Sequence, residues 1–99
     1  MSSFKETINS GKPVLVDFYA DWCGPCQSMN PVLKDLAGEL GDDVKIIKVD
    51  VDKNPGAARA FQVRGVPTFL IFKDGKPVWR ASGVQPRAEL VKALRSAGA

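Results

Sequence analysis

The chain contains two cysteines, three positions apart in Trp22-Cys23-Gly24-Pro25-Cys26. Four chemistries suit such a pair. A zinc site needs about four nitrogen or sulfur ligands, and a chain without histidine would need a second subunit to complete one. Two inert thiols belong in a core, whereas Trp22, Gly24 and Pro25 read as a loop. A purely structural disulfide across two residues would stabilise little, because the entropy it removes grows with the loop it closes. The fourth is a redox-active dithiol, and helix geometry favours it. Residues i and i+3 on a helix hold their Cβ atoms about 5–6 Å apart, and a disulfide needs about 3.5–4.5 Å. Slight tightening of a first turn therefore closes the bond, and relaxation opens it. Cys23 would meet the unpaired N–H groups and the positive dipole end of the helix, which favour a thiolate. Cys26, one turn further in, is expected to be more buried and less acidic. Cys23 is thus expected to attack from an exposed loop and Cys26 to resolve.

A second candidate is Asp17, inside the nearly continuous apolar run Val14-Leu15-Val16-Asp17-Phe18-Tyr19. Such a run suits a strand buried on both faces. An acid there is costly when ionised and unpaired, so its pKa is expected to rise. The alternative is a strand-end acid that reaches water.

These residues need elements to position them. Ser3-x-x-Glu6 reads as a capping box and Gly11 as the stop of a helix over about residues 3–10. From Cys23 to Leu40, Met29, Val32, Leu33, Leu36, Ala37 and Leu40 recur at helical spacing, with Pro31 expected to kink that helix and Gly41 to end it. Val44–Val49 reads as a second strand, parallel to the first across a helical crossover. Asn54-Pro55 should cap and open a short helix through about Phe61. Thr68–Phe72 is a strand, Asp74-Gly75 a hairpin turn, and the returning strand carries Pro77, which belongs at a sheet edge. Pro86 opens a last amphipathic helix with Leu90, Val91 and Leu94 inward. The expected class is α/β: a mixed sheet, parallel and then antiparallel at one edge, with helices on both faces.

Ninety-nine residues suffice for one domain, and 44% hydrophobic with 25% charged residues is a globular composition. The start has no apolar run suited to a signal peptide, and no stretch approaches the ~20 apolar residues that span a bilayer, so a cytoplasmic protein without membrane contact is expected. The first 52 residues carry five Lys against nine acids, a net of −4; the rest carry nine Lys or Arg against two acids, a net of +7. This asymmetry reads as a solvated surface or as a basic docking face for acidic partners. No basic run is interleaved with aromatics, so nucleic acid is not an expected partner.

Val16-Asp17-Phe18-Tyr19-Ala20-Asp21-Trp22-Cys23-Gly24-Pro25-Cys26 resembles the active-site segment of the thioredoxin family. Lys48-Val49-Asp50-Val51-Asp52 before Asn54-Pro55, Gly65-Val66-Pro67-Thr68, Phe72-Lys73-Asp74-Gly75 and Gly83 follow in the family's order, so the likeness runs from about residue 4 to the last helix. It implies the thioredoxin fold and reduction of client protein disulfides through a mixed disulfide. No bound cofactor or metal is implied; electrons would come from NADPH through thioredoxin reductase. Gly24-Pro25 is similar to the dipeptide of reducing members, since oxidising and isomerising relatives usually place His there. The family's buried Asp matches Asp17 and its nearby Lys matches Lys48, which implies that Asp17 accepts the proton of the resolving thiol. X-Pro bonds are usually trans, but the family's proline matching Pro67 is cis and lies beside the cysteines. Val66 would then offer its backbone to a client strand, with Trp22, Gly65, Gly83 and Val84 completing the docking surface.

Two departures stand out. Tyr19 replaces the second Trp of many members, and the family's N-terminal strand has no counterpart, which leaves four expected strands and an open edge at Val44–Val49. Lys45 and Lys48 would discourage pairing there, so a monomer is expected. The competing reading is a binding module of the same fold with an incidental dithiol; a partner-specific or isomerase-like oxidoreductase is the enzymatic rival.

Overall fold

The structure is a computed structural model that describes residues 2–99, with side chains from residue 4 onward. Its centre is β1 (Val14–Tyr19), flanked by β2 (Lys45–Asp50) in parallel and by β3 (Thr68–Lys73) in antiparallel pairing. β4 (Lys76–Ser82) completes the sheet beside β3, giving the order β2-β1-β3-β4. The helices are α1 (Ser2–Ile8), α2 (Gly24–Leu40), α3 (Pro55–Ala60) and α4 (Arg87–Ser96). None of them is long and apolar enough to cross a membrane.

Strand alternation divides the core into two layers. Leu15, Phe69 and Ile71 pack against Met29, Leu33, Leu36 and Leu40 of α2 and Leu90 and Leu94 of α4. Val14, Val16, Phe18, Leu70 and Phe72 face the other way, onto Ile8, Phe4 and Phe61. The rings of Phe4, Phe61 and Phe72 meet there at 5.2–5.9 Å between centroids, within the range of favourable edge and tilted contacts. The same alternation puts Asp17 on the α2 side, two residues beyond Leu15.

The β3–β4 connection is the two-residue turn expected of Asp74-Gly75. Both residues have positive φ, 53° and 81°, as a primed hairpin turn requires. The β3–β4 register shifts between Ile71 and Phe72, whose partners are Trp79 and Pro77, so Val78 bulges out of the ladder on the outer strand. Pro31 sits inside α2, which continues through it to Leu40.

Several expectations need correction. The first helix stops at Ile8 rather than near residue 10, and the Ile8 carbonyl accepts the Gly75 N–H at 3.0 Å instead of a helical donor. The Ser3 side chain of the expected capping box lies outside the described residues. Asn54 occupies the cap position of α3, but its side chain makes no cap bond and donates instead to the Asp50 carbonyl at 3.0 Å. In α4 it is Ala93, with Leu90 and Leu94, that is buried, and Val91 is only partly covered. β2 runs one residue later than expected; it is the open edge strand that the sequence led one to expect, paired on one side by β1.

Candidate active site

The chain leaves β1 at Tyr19, turns through Ala20-Asp21-Trp22 and enters α2 at Gly24. Cys23 is the N-cap of that helix, with extended backbone at φ −88° and ψ 109°. Its Sγ accepts the Cys26 N–H at 3.1 Å, the donor that a Ser or Asp cap would ordinarily satisfy. Gly24 and Pro25 form the exposed first turn, where the missing N–H of proline costs nothing. Cys23 and Cys26 are joined as a disulfide with Cα atoms 5.3 Å apart, within the ordinary range.

In this oxidised state Cys23 is not exposed: it is 3% accessible and Cys26 is 2%. The expected difference in burial between the cysteines is therefore absent. Ala20, Tyr19, Val51 and Val66 pack around the pair. What separates the two sulfurs is their setting, since Cys23 Sγ lies at the helix terminus and 3.7 Å from the Val66 carbonyl oxygen.

Val66 precedes a cis Val66–Pro67 peptide, as the family likeness implied and against the ordinary trans preference. Thr68 donates from Oγ1 to the Gly65 carbonyl at 2.7 Å, and the Pro67 carbonyl accepts the Gly83 N–H at 2.8 Å. Gly83 has φ +85°, a conformation that side chains disfavour. Val84 beside it is exposed. Trp22 is 72% exposed and so is no core aromatic; its indole Nε1 donates to Asp52 at 2.9 Å. Trp22, Val66, Gly83 and Val84 thus stand on the loops at the β1 C-terminal end and around the cis-proline.

Asp17 is wholly buried, and neither carboxylate oxygen has a hydrogen-bond partner. Burial pushes its pKa up to about 6, against an opposing pull from Lys48. Asp17 and Lys48 are register partners on β1 and β2, yet Lys48 does not bond to the carboxylate. Its ammonium donates to Asn30 Oδ1 at 2.7 Å and lies 4.4 Å from the Tyr19 ring centroid. A cleft of about 200 Å³ opens here, lined by Tyr19, Ala20, Asp21, Cys26, Gln27, Asn30 and Lys48.

Sequence reasoning singled out neither Asn30 nor the Trp22–Asp52 bond. The first had a usable signal, because Cys26 and Asn30 are four residues apart on one helix and share a face. The second had none, because its partners are 30 residues apart.

An N-capping cysteine in a disulfide one helical turn long, set against a cis-proline loop on an α/β sheet, defines a thiol–disulfide oxidoreductase of the thioredoxin fold. The comparisons give its family. The family model described as Thioredoxin matches residues 1–96. The thioredoxin of Mycolicibacterium smegmatis is 50% identical over 94 residues, covering 93% of this chain and 84% of that protein. Chloroplastic thioredoxin Y of Oryza sativa subsp. japonica is 47% identical over 97 residues, 97% of this chain, which spans 58% of that protein's length. A bifunctional thioredoxin reductase/thioredoxin of Mycobacterium leprae is 46% identical over 93 residues, 94% of this chain and 20% of that protein. The solved structure of a mutant thioredoxin from Halobacterium salinarum NRC-1 superimposes with a TM-score of 0.91 at 39% identity, covering 100% of this chain and 86% of that one. The chain belongs to the thioredoxin family, and it is a protein-disulfide reductase that works by thiol–disulfide exchange at Cys23 and Cys26.

Proposed function

We propose the following division of labour. In the dithiol form the Cys23 thiolate attacks one sulfur of a client disulfide, forming a mixed disulfide and releasing the other client sulfur as a thiolate. Cys26 then gives its proton to Asp17, through water in the adjoining cleft, and attacks Cys23 Sγ. The Cys23–Cys26 disulfide forms, the second client thiolate leaves, and two electrons have passed to the client. The observation that carries this assignment is the position of Cys23 at the N-cap of α2, where its sulfur accepts a helix N–H and faces the Val66 carbonyl. The carboxylate of Asp17, buried and unpartnered with a pKa near 6, supports its role as acceptor. Lys48 supports it electrostatically from the same cleft.

Client disulfides dock as extended segments on the Val66 backbone, flanked by Trp22, Gly24, Pro25, Gly65, Pro67, Gly83 and Val84. Their loop positions and the exposed apolar side chains of Trp22 and Val84 support this reading. NADPH recharges the disulfide through a separate thioredoxin reductase; in the Mycobacterium leprae relative the two names are joined in one polypeptide. The protein acts in the cytoplasm as a monomer, with Lys45 and Lys48 guarding the β2 edge against pairing.

The deciding experiment is turnover of a generic protein disulfide by the protein with thioredoxin reductase and NADPH. Steady NADPH consumption that depends on both cysteines is expected. No turnover with an intact dithiol would favour a binding module. Sedimentation at micromolar concentration tests the monomer, since a tight dimer would refute it, and cell fractionation tests the location.

A further inference from the structure

Lys48 is fully able to swing into water, since its side chain has four carbons and its residue is exposed. Two groups hold it instead. Asn30 Oδ1 accepts its ammonium at 2.7 Å, and the Tyr19 ring lies beneath it at 4.4 Å. An amide oxygen and an aromatic face are both good partners for an ammonium, and neither neutralises its charge. Asn30 is on α2, one turn beyond Cys26; Tyr19 is on β1, two residues beyond Asp17. All of these residues except Asp17 line one cleft, and Asp17 is the register partner of Lys48 on the next strand. We propose that Asn30 and the Tyr19 ring are positioning residues that tether the Lys48 ammonium at the mouth of the cleft beside Cys26 and Asp17, and so hold its charge where the resolving step needs it.

The charged or titratable groups that line the cleft are Lys48 of β2, Cys26 of α2, Tyr19 of β1 and Asp21 of the β1–α2 loop, and of these Lys48 is the register partner of Asp17. On β3 the partner of Asp17 is the apolar Phe69. Lys48 is the cation of this set, so its position governs how strongly the buried carboxylate is stabilised. With the tether cut, the ammonium gains hydration by leaving, because moving inward onto Asp17 would bury it. The charge at the resolving centre is then lost to solvent screening.

The proposal rests on Asp17 as the acceptor for Cys26, and its test separates the two. The Asp17 carboxyl is titrated by carbon NMR in the wild-type protein, in Asn30→Ala and in Tyr19→Leu, and the single-turnover rate of mixed-disulfide resolution is measured from pH 5 to 9. Asn30 is exposed and Ala is a better helix former, so Asn30→Ala retains the fold. Its Asp17 midpoint is expected to rise by roughly 0.5–1 pH unit. Resolution at pH 6 should then slow about two- to fivefold, because less Asp17 is ionised, and should recover by pH 8. Asn30→Ala placed on Lys48→Met should leave the midpoint where Lys48→Met alone puts it. An unmoved or lowered midpoint in Asn30→Ala, or the same shift without Lys48, overturns the tether. A midpoint that rises while the resolution profile stays fixed supports the tether and refutes Asp17 as the acceptor.

Discussion

Replacing Asp17 with Asn should make the protein more stable at neutral pH while impairing its chemistry. Asp17 carries an ordinary pKa of 3.8 when unfolded and about 6 when folded, because burial disfavours its charge. The folded state therefore holds the proton more tightly. The stability linked to that proton is complete below about 3.8 and is lost as pH rises through about 6. A gap of roughly two units at ~1.4 kcal/mol each makes ionised Asp17 a burden of about 3 kcal/mol above pH 7. Asn removes the charge but leaves a buried amide where the carboxylate oxygens already lack partners, so part of the gain is offset by that unsatisfied polar group. The net expectation is about 1–3 kcal/mol of added stability at pH 7–8, vanishing toward pH 4. Near 2 kcal/mol this corresponds to a rise in Tm of roughly 10 °C for a chain of this size. Urea unfolding of the oxidised wild type and Asp17→Asn at pH 4, 6 and 8 measures it, since the other titrating groups cancel in the difference. A variant that is less stable at pH 8, or a difference that does not change with pH, would refute the reasoning.

Cys26→Ser should accumulate a mixed disulfide through Cys23 on incubation with a client, and Cys23→Ser should trap none; mass spectrometry reading the opposite pattern would reverse the two roles. Pro25→His should raise the reduction potential, because an imidazole beside the N-capping sulfur stabilises its thiolate; equilibration against glutathione measures it, and an unchanged or lower value would place control elsewhere. Phe72→Ala should cost about 3–5 kcal/mol in urea unfolding, since Phe72 is fully buried and its ring meets both Phe4 and Phe61; a loss below ~1 kcal/mol would mean that this layer of the core collapses around the gap.

The features legible in the sequence are those set within one turn or one strand. Cys23 and Cys26 lie three positions apart, between a strand-like apolar run and residues at helical spacing, which places the pair at the start of a helix. Asp74-Gly75 demands positive φ wherever it is found between strands, and the hairpin follows. The apolar run around Asp17 pointed to burial, with a strand end reaching water as the alternative; the fold buries it, and burial raises its pKa. The cis peptide before Pro67 was different, because local physics favours trans and only the likeness to a family pointed the other way.

Tertiary structure decided the matters in which a side chain had several partners within reach. Asn54 could have capped α3, but the Asp50 carbonyl came closer and took its amide. Lys48 was the obvious partner for Asp17, and the two do meet in register, yet the ammonium found Asn30, 18 residues away, without leaving water. Trp22 found Asp52 across 30 residues, and the Cys23 sulfur found the Val66 carbonyl across 43. The sequence by itself determined the pair of thiols, the helix that carries them, the buried acid and the order of the elements, since each depends on spacing and polarity along a short stretch. Which groups face that pair, and which cation stands beside the acid, depends on how distant segments pack. Rotamers of long side chains differ by little energy until neighbours occupy the space around them, so only the folded chain makes that choice.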